Sequence, residues 1–116
     1  MGINKRKHER VDALNLLSYV ILDVDGKEWG QGMGRTLNIS ENGLQLETHE
    51  PIDTKNILQI SIGIEDELVE IKGKVVYTNR GDSGKFEAGI EFIQVKQDAL
   101  VVLKKYINEF NKQFNE

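Results

Sequence analysis

The sequence predicts an all-β-dominated fold, a six-stranded antiparallel β-barrel followed by a C-terminal α-helix and preceded by a flexible basic N-terminal arm. Three observations predict it. Short segments of apolar residues recur six times between residues 14 and 93, turn-forming or charged residues separate them, and after residue 96 the hydrophobic period changes from two to about 3.6. These features divide the chain into an arm over residues 1–13, a barrel over 14–96 and a helix over 97–116.

The first strand starts at Leu14. Leu14, Leu16, Ser18, Val20, Leu22 and Val24 form a largely apolar face, and Asn15, Leu17, Tyr19, Ile21 and Asp23 form a mixed one, as in a strand packed mainly on one side. Asp25-Gly26 then reads as a two-residue hairpin turn. The returning strand, Glu28 to Leu37, contains Gly30, Gly32 and Gly34, which weaken a regular strand and mark the bends or bulges of a tightly curved barrel. They are not a nucleotide loop, because GxGxxG spacing is absent and no helix follows.

Leu44 to Thr48 alternates again and is closed by Glu50-Pro51. Ile57 to Ile64 and Leu68 to Thr78 flank an acidic turn, Glu65-Asp66-Glu67, and the loop over residues 79–84 leads into a last strand, Phe86 to Ile93. In the tail, Leu100, Leu103, Ile107, Phe110 and Phe114 fall at spacings of three and four, and Asp98 stands where it favours the helix start. A helix covering an open end of the barrel is the simpler reading; a helix that binds a partner is the other.

Length and composition narrow the function. A chain of 116 residues with 39 % hydrophobic residues suits one domain with a proper core. Cysteine is absent, which removes disulfides, thiolate nucleophiles and Cys-type zinc sites, and a reducing compartment fits best. No apolar run serves as a signal peptide, and none approaches the ~18 residues needed to cross a bilayer. The expectation is a cytoplasmic protein without membrane insertion.

Charge is unevenly spread. Lys5, Arg6, Lys7 and Arg10 stand against Glu9 in the first ten residues, a net +3, so the rest of the chain carries −7 within a total of −4. Such an acidic body does not suit long nucleic acid, whose binding needs many neutralised phosphates. Aromatic residues at 7 % and the lack of a long basic groove also count against a barrel for single strands. A small anion held by the arm fits better.

Catalysis finds little support. His8 and His49 have no metal-helix spacing, and Asp23-Val24-Asp25-Gly26 lacks the remaining ligands of a calcium loop. No nucleophile elbow is present. Asn38-Ile39-Ser40 is formally a glycosylation sequon and Arg80-Gly81-Asp82 an integrin tripeptide, but without a signal peptide neither meets its machinery. The expectation is a protein that is not an enzyme and uses no cofactor or metal.

Two polar clusters are left. Arg6-Lys7-His8-Glu9-Arg10 sets two guanidinium groups four positions apart, and Asn38-Ile39-Ser40-Glu41-Asn42-Gly43 ends a strand in small polar residues. Separately, the first reads equally well as a solvated charge run and the second as a turn. Together, in this order, they resemble the PilZ family of cyclic di-GMP receptors. That family's RxxxR signature is matched by Arg6 and Arg10, and its [D/N]xSxxG signature by Asn38, Ser40 and Gly43. Ala88-Gly89-Ile90-Glu91-Phe92 is similar to its late-strand pattern.

The resemblance implies a PilZ-type barrel and a ligand site of Arg6, Arg10, Asn38, Ser40 and Gly43, with Lys5, Lys7 and Gly89 as secondary contacts. The chemistry suits the ligand. An arginine fork matches a phosphate or the O6 and N7 acceptors of guanine, and Asn38 and Ser40 can donate or accept at a base edge. The residue before the first arginine, associated in that family with binding one ligand or a stacked pair, is Lys5 here, so stoichiometry stays open. The expected function is a cyclic di-GMP receptor whose arm orders over the ligand and which signals to an effector protein. The alternative is a PilZ-like adaptor in motility or pilus assembly that binds protein and no nucleotide.

Overall fold

The computed structural model describes residues 16–81 and 84–114, the last of these by its backbone alone. Six strands form: β1 (Leu16–Leu22), β2 (Glu28–Ile39), β3 (Gly43–Thr48), β4 (Ile57–Ile64), β5 (Glu67–Arg80) and β6 (Phe86–Ile93). A single described helix, α1 (Gln97–Phe114), follows them. All pairings are antiparallel, and the barrel closes in the order β1-β2-β3-β6-β5-β4, with β4 returning to β1. Closure gives each of the six described strands a hydrogen-bonded neighbour on both sides.

The buried face of β1 is the opposite of the one its pattern suggested. Leu17, Tyr19 and Ile21 are buried, whereas Leu16 is 51 % exposed. The segment Leu-Leu-Ser-Tyr-Val-Ile-Leu is apolar on both faces, so its own pattern does not decide. The partner strand does: Leu17, Tyr19 and Ile21 lie opposite Gly34, Gly32 and Gly30. These glycines repeat with the strand period of two, so all three share one face with those side chains. A Cβ on Gly32 would come within 2.6 Å of the Tyr19 hydroxyl, and one on Gly34 within 2.8 Å of the Leu46 side chain.

The glycines therefore make room for large interior side chains, and the irregularities of β2 fall elsewhere. Its register shifts around Trp29 and again around Leu37. The first hairpin also differs from a two-residue turn. Asp23 N–H donates to the Lys27 carbonyl at 2.9 Å, and Gly26 N–H donates to the Asp23 carbonyl at 2.9 Å. Gly26 takes a φ of +80°, making a three-residue loop that ends in a left-handed residue. The Asp23 carboxylate accepts from the Asp25 and Lys27 amides, both at 2.9 Å.

Helix α1 lies against β4 and β5. Ala99, Leu103, Tyr106 and Phe110 join one apolar cluster with Leu46, Leu58, Ile60, Ile62 and Val75 from the barrel. The helix contributes Val102 and Tyr106 to the buried set as well as the expected Leu103 and Phe110, whereas Leu100 and Ile107 are only partly buried. Tyr106 and Thr36 of β2 bring their hydroxyls to 3.5 Å of each other. Because β2 is not next to β4 or β5 in the barrel, that contact takes the Tyr106 side chain across the interior. Burial pushes the Tyr106 phenol up from its usual 10.0, against a smaller lowering by the Thr36 hydrogen bond. Tyr19 is raised from the same value by burial and by the nearby Glu50 charge.

Among the described residues, no helix is long and apolar enough to cross a membrane.

Candidate ligand groove on the barrel wall

Strand pairing sets four positions side by side on the outer face of the barrel. Asn38 of β2 lies opposite Gln45 of β3, Gln45 opposite Gly89 of β6, and Gly89 opposite Tyr77 of β5. Two register shifts produce this row. Skipping Leu37 brings Asn38 to Gln45, and skipping Val76 brings Tyr77 to Gly89. The result is an open groove of about 260 Å³ lined by Asn38, Ser40, Gly43, Gln45, Val76 and Tyr77, with Gly89 among its other lining residues.

Two glycines shape the floor. A Cβ on Gly43 would overlap the Ile90 carbonyl oxygen, so the missing side chain is what lets β3 approach β6 here. A Cβ on Gly89 would overlap the Tyr77 ring, which therefore lies over the Gly89 backbone. Gly43 does not take a positive φ. Its part is close approach, and Tyr77, 40 % exposed, offers a ring face at the groove.

The segment Asn38 to Gly43 is held by its own polar groups. Ser40 N–H donates to the Gly43 carbonyl at 2.8 Å. The Ser40 hydroxyl donates to that carbonyl at 3.4 Å and accepts from the Asn42 amide at 3.3 Å. Asn38 Oδ1 accepts from the Ile39 amide at 2.9 Å, which leaves its side-chain NH₂ as the outward group. Next to it, Gln45 Nε2 donates to Glu87 Oε1 at 3.3 Å.

Every residue lining the groove is uncharged. Glu47 holds two nearby cations, Arg35 of β2 at 3.2 Å and Lys85, just before β6, at 3.8 Å. The groove can therefore read base edges and carry a ring, but it does not itself supply a cation for a phosphate. A larger hollow of about 410 Å³ over Ser18, Val20, Gln31, Met33 and Ser61 contains none of the motif residues. Among the described residues, no three His, Cys, Asp or Glu side chains gather as a metal site requires.

Of the residues proposed from sequence, Asn38, Ser40, Gly43 and Gly89 come together in this groove. Lys5, Arg6, Lys7 and Arg10 lie outside the described residues. Gln45, Val76 and Tyr77 were missed. Their only signals would have been the register shifts within β2, for Gln45, and within β5, for Val76 and Tyr77, which alternation alone does not reveal.

Comparison with known proteins agrees with this fold. The PilZ domain family model matches residues 4–109, and the chain belongs to the PilZ domain family. Among solved structures, it is similar to the PilZ domain with c-di-GMP of YcgR from Escherichia coli, at 10 % identity and a TM-score of 0.62, covering 86 % of this chain and 85 % of that one. It is also similar to the PilZ domain of CeSA from a cellulose-synthesizing bacterium, at 11 % identity and a TM-score of 0.56, covering 83 % and 93 %. Against MrkH of K. pneumonia in its apo state, identity is 13 % and the TM-score 0.59, covering 85 % of this chain and 48 % of MrkH. No curated protein sequence matches the chain.

Proposed function

We propose that the protein is a cytoplasmic receptor for cyclic di-GMP that binds the dinucleotide without turning it over and passes the event to a partner protein. The observation that carries this reading is the neutral groove formed by Asn38, Ser40, Gln45, Gly89 and Tyr77 in a chain that also contains the family's paired arginines. The groove has the chemistry for a purine, and the arm has the charge for its phosphates.

Magnitudes favour a site of two parts. At about 260 Å³ the groove is smaller than the ~300–1,000 Å³ pockets that enclose drug-sized ligands, so it suits one base better than a whole dinucleotide. A charge-assisted hydrogen bond contributes about 1.5–3 kcal/mol, whereas micromolar affinity needs about 8 kcal/mol. Arg6 and Arg10 must therefore act together with the groove. Lys5 and Lys7 add attraction that salt screens.

In this reading residues 1–13 are the cationic half of the site, and the barrel is the base-reading half. Ordering of the arm over the ligand changes the surface that a partner meets, which makes binding a switch. Titration calorimetry with cyclic di-GMP tests it: saturable binding in the micromolar range or tighter is expected. No heat at high micromolar ligand, with folding confirmed by circular dichroism, would overturn it.

A further inference from the structure

We infer that Gln45, oriented by Glu87, is the residue that makes the groove select guanine over adenine. The inference rests on the receptor reading above and adds a specificity determinant to it. A carboxylate can only accept hydrogen bonds, so the Gln45 side chain must turn its NH₂ toward Glu87 Oε1, where Nε2 donates at 3.3 Å. That fixes the other half of the amide: Oε1 is left as an acceptor beside the groove.

Asn38 is oriented in the opposite sense. Its Oδ1 accepts from the Ile39 amide at 2.9 Å, so its NH₂ is the outward group. Because Asn38 and Gln45 are direct cross-strand partners, the groove presents a fixed donor beside a fixed acceptor. The Watson–Crick edge of guanine has the matching order, an O6 acceptor beside an N1–H donor. Adenine has the reverse, an N6 amino donor beside an N1 acceptor. Held on the same ring face and in the same direction as guanine, adenine meets donor with donor and acceptor with acceptor against this pair, and unpaired polar groups at a partly buried edge are costly.

Glu87 holds its place through β6, opposite Glu47 of β3 and Asn79 of β5. It acts through Gln45 as a positioning residue. Replacing its carboxylate with an amide would let the Gln45 side chain turn over and present either group.

The test is a binding panel by titration calorimetry, using cyclic di-GMP, cyclic GMP-AMP and cyclic di-AMP against the parent protein, Gln45→Leu and Glu87→Gln, with thermal midpoints recorded for each. The parent is expected to rank the ligands by their number of guanines. Gln45→Leu should lose roughly tenfold or more in cyclic di-GMP affinity while cyclic di-AMP changes little, and Glu87→Gln should lower the same preference at an unchanged midpoint. A parent that binds no cyclic di-GMP overturns the receptor reading itself. If the parent binds and discriminates, but both folded variants keep its ratio or Gln45→Leu weakens all three ligands equally, the assignment to Gln45 is wrong while the receptor reading stands.

Discussion

Gly43 and Gly89 serve the same groove for different reasons. At Gly43 the obstacle to a side chain is backbone, the Ile90 carbonyl oxygen, and backbone there cannot yield without parting β3 from β6. Gly43→Ala is expected to destabilise the protein by about 1–3 kcal/mol, read as a lower midpoint in urea. At Gly89 the obstacle is the Tyr77 ring, which is 40 % exposed and can swing into solvent. Gly89→Ala should therefore cost less stability yet reduce cyclic di-GMP affinity by roughly tenfold, close to the effect of Tyr77→Ala, because both remove the ring from the groove. A Gly89→Ala variant that binds as the parent does would show that the ring takes no part. Asn38, Ser40 and Gly43 were found in the sequence because they fall in one short segment that resembles the PilZ family's [D/N]xSxxG signature, but Gln45 and Tyr77 reach the groove only through pairings that skip Leu37 and Val76. Short-range patterns contain no trace of such skips.

Element by element, the strands were legible where polar and apolar residues alternate cleanly, as in β3, and ambiguous where they do not. In β1 both faces are apolar, and the inward face is decided by the glycines opposite it on β2. Helix α1 was legible from its period, but Tyr106 was not recognised as buried because its hydroxyl argues for the surface until Thr36 is found across the barrel. Burial of Leu103 at 0 % exposure predicts that Leu103→Ala costs about 2–5 kcal/mol. The ion pair from Lys105 to Glu67, 2.8 Å long but exposed at both ends, should leave the midpoint nearly unchanged when Lys105→Ala removes it. Tyr106 and Tyr19 also set an alkaline limit. Both folded phenols are raised above 10.0, so the unfolded chain loses these protons first, and their stabilisation is complete below pH 10 and lost as pH rises beyond it. Urea titrations between pH 8 and 11 should show that decline, and Tyr106→Phe should make it shallower.

For the molecule as a whole, the closed order of the barrel was the least legible feature, because pairing β4 with β1 and β3 with β6 depends on contacts distant in sequence. Charge was legible early and is the reason the proposed site has two parts. The described groove is neutral while the chain's first ten residues carry a net +3. Arg6→Ala and Arg10→Ala should each weaken cyclic di-GMP binding at least tenfold, whereas Lys112→Ala and Met33→Ala, at the end of α1 and beside the other hollow, should not. Equal losses across all four variants would mean general charge attraction or unfolding, with no formed site.

The most direct measurement is a map of backbone amide shifts by nuclear magnetic resonance as cyclic di-GMP is titrated into the full chain. The account predicts that Asn38, Ser40, Gln45, Tyr77 and Gly89 move together with residues 5–10 at one common saturation point, while Ser18, Gln31 and Ser61 stay still. Shifts confined to the basic residues, with the barrel row silent at saturation, would contradict it.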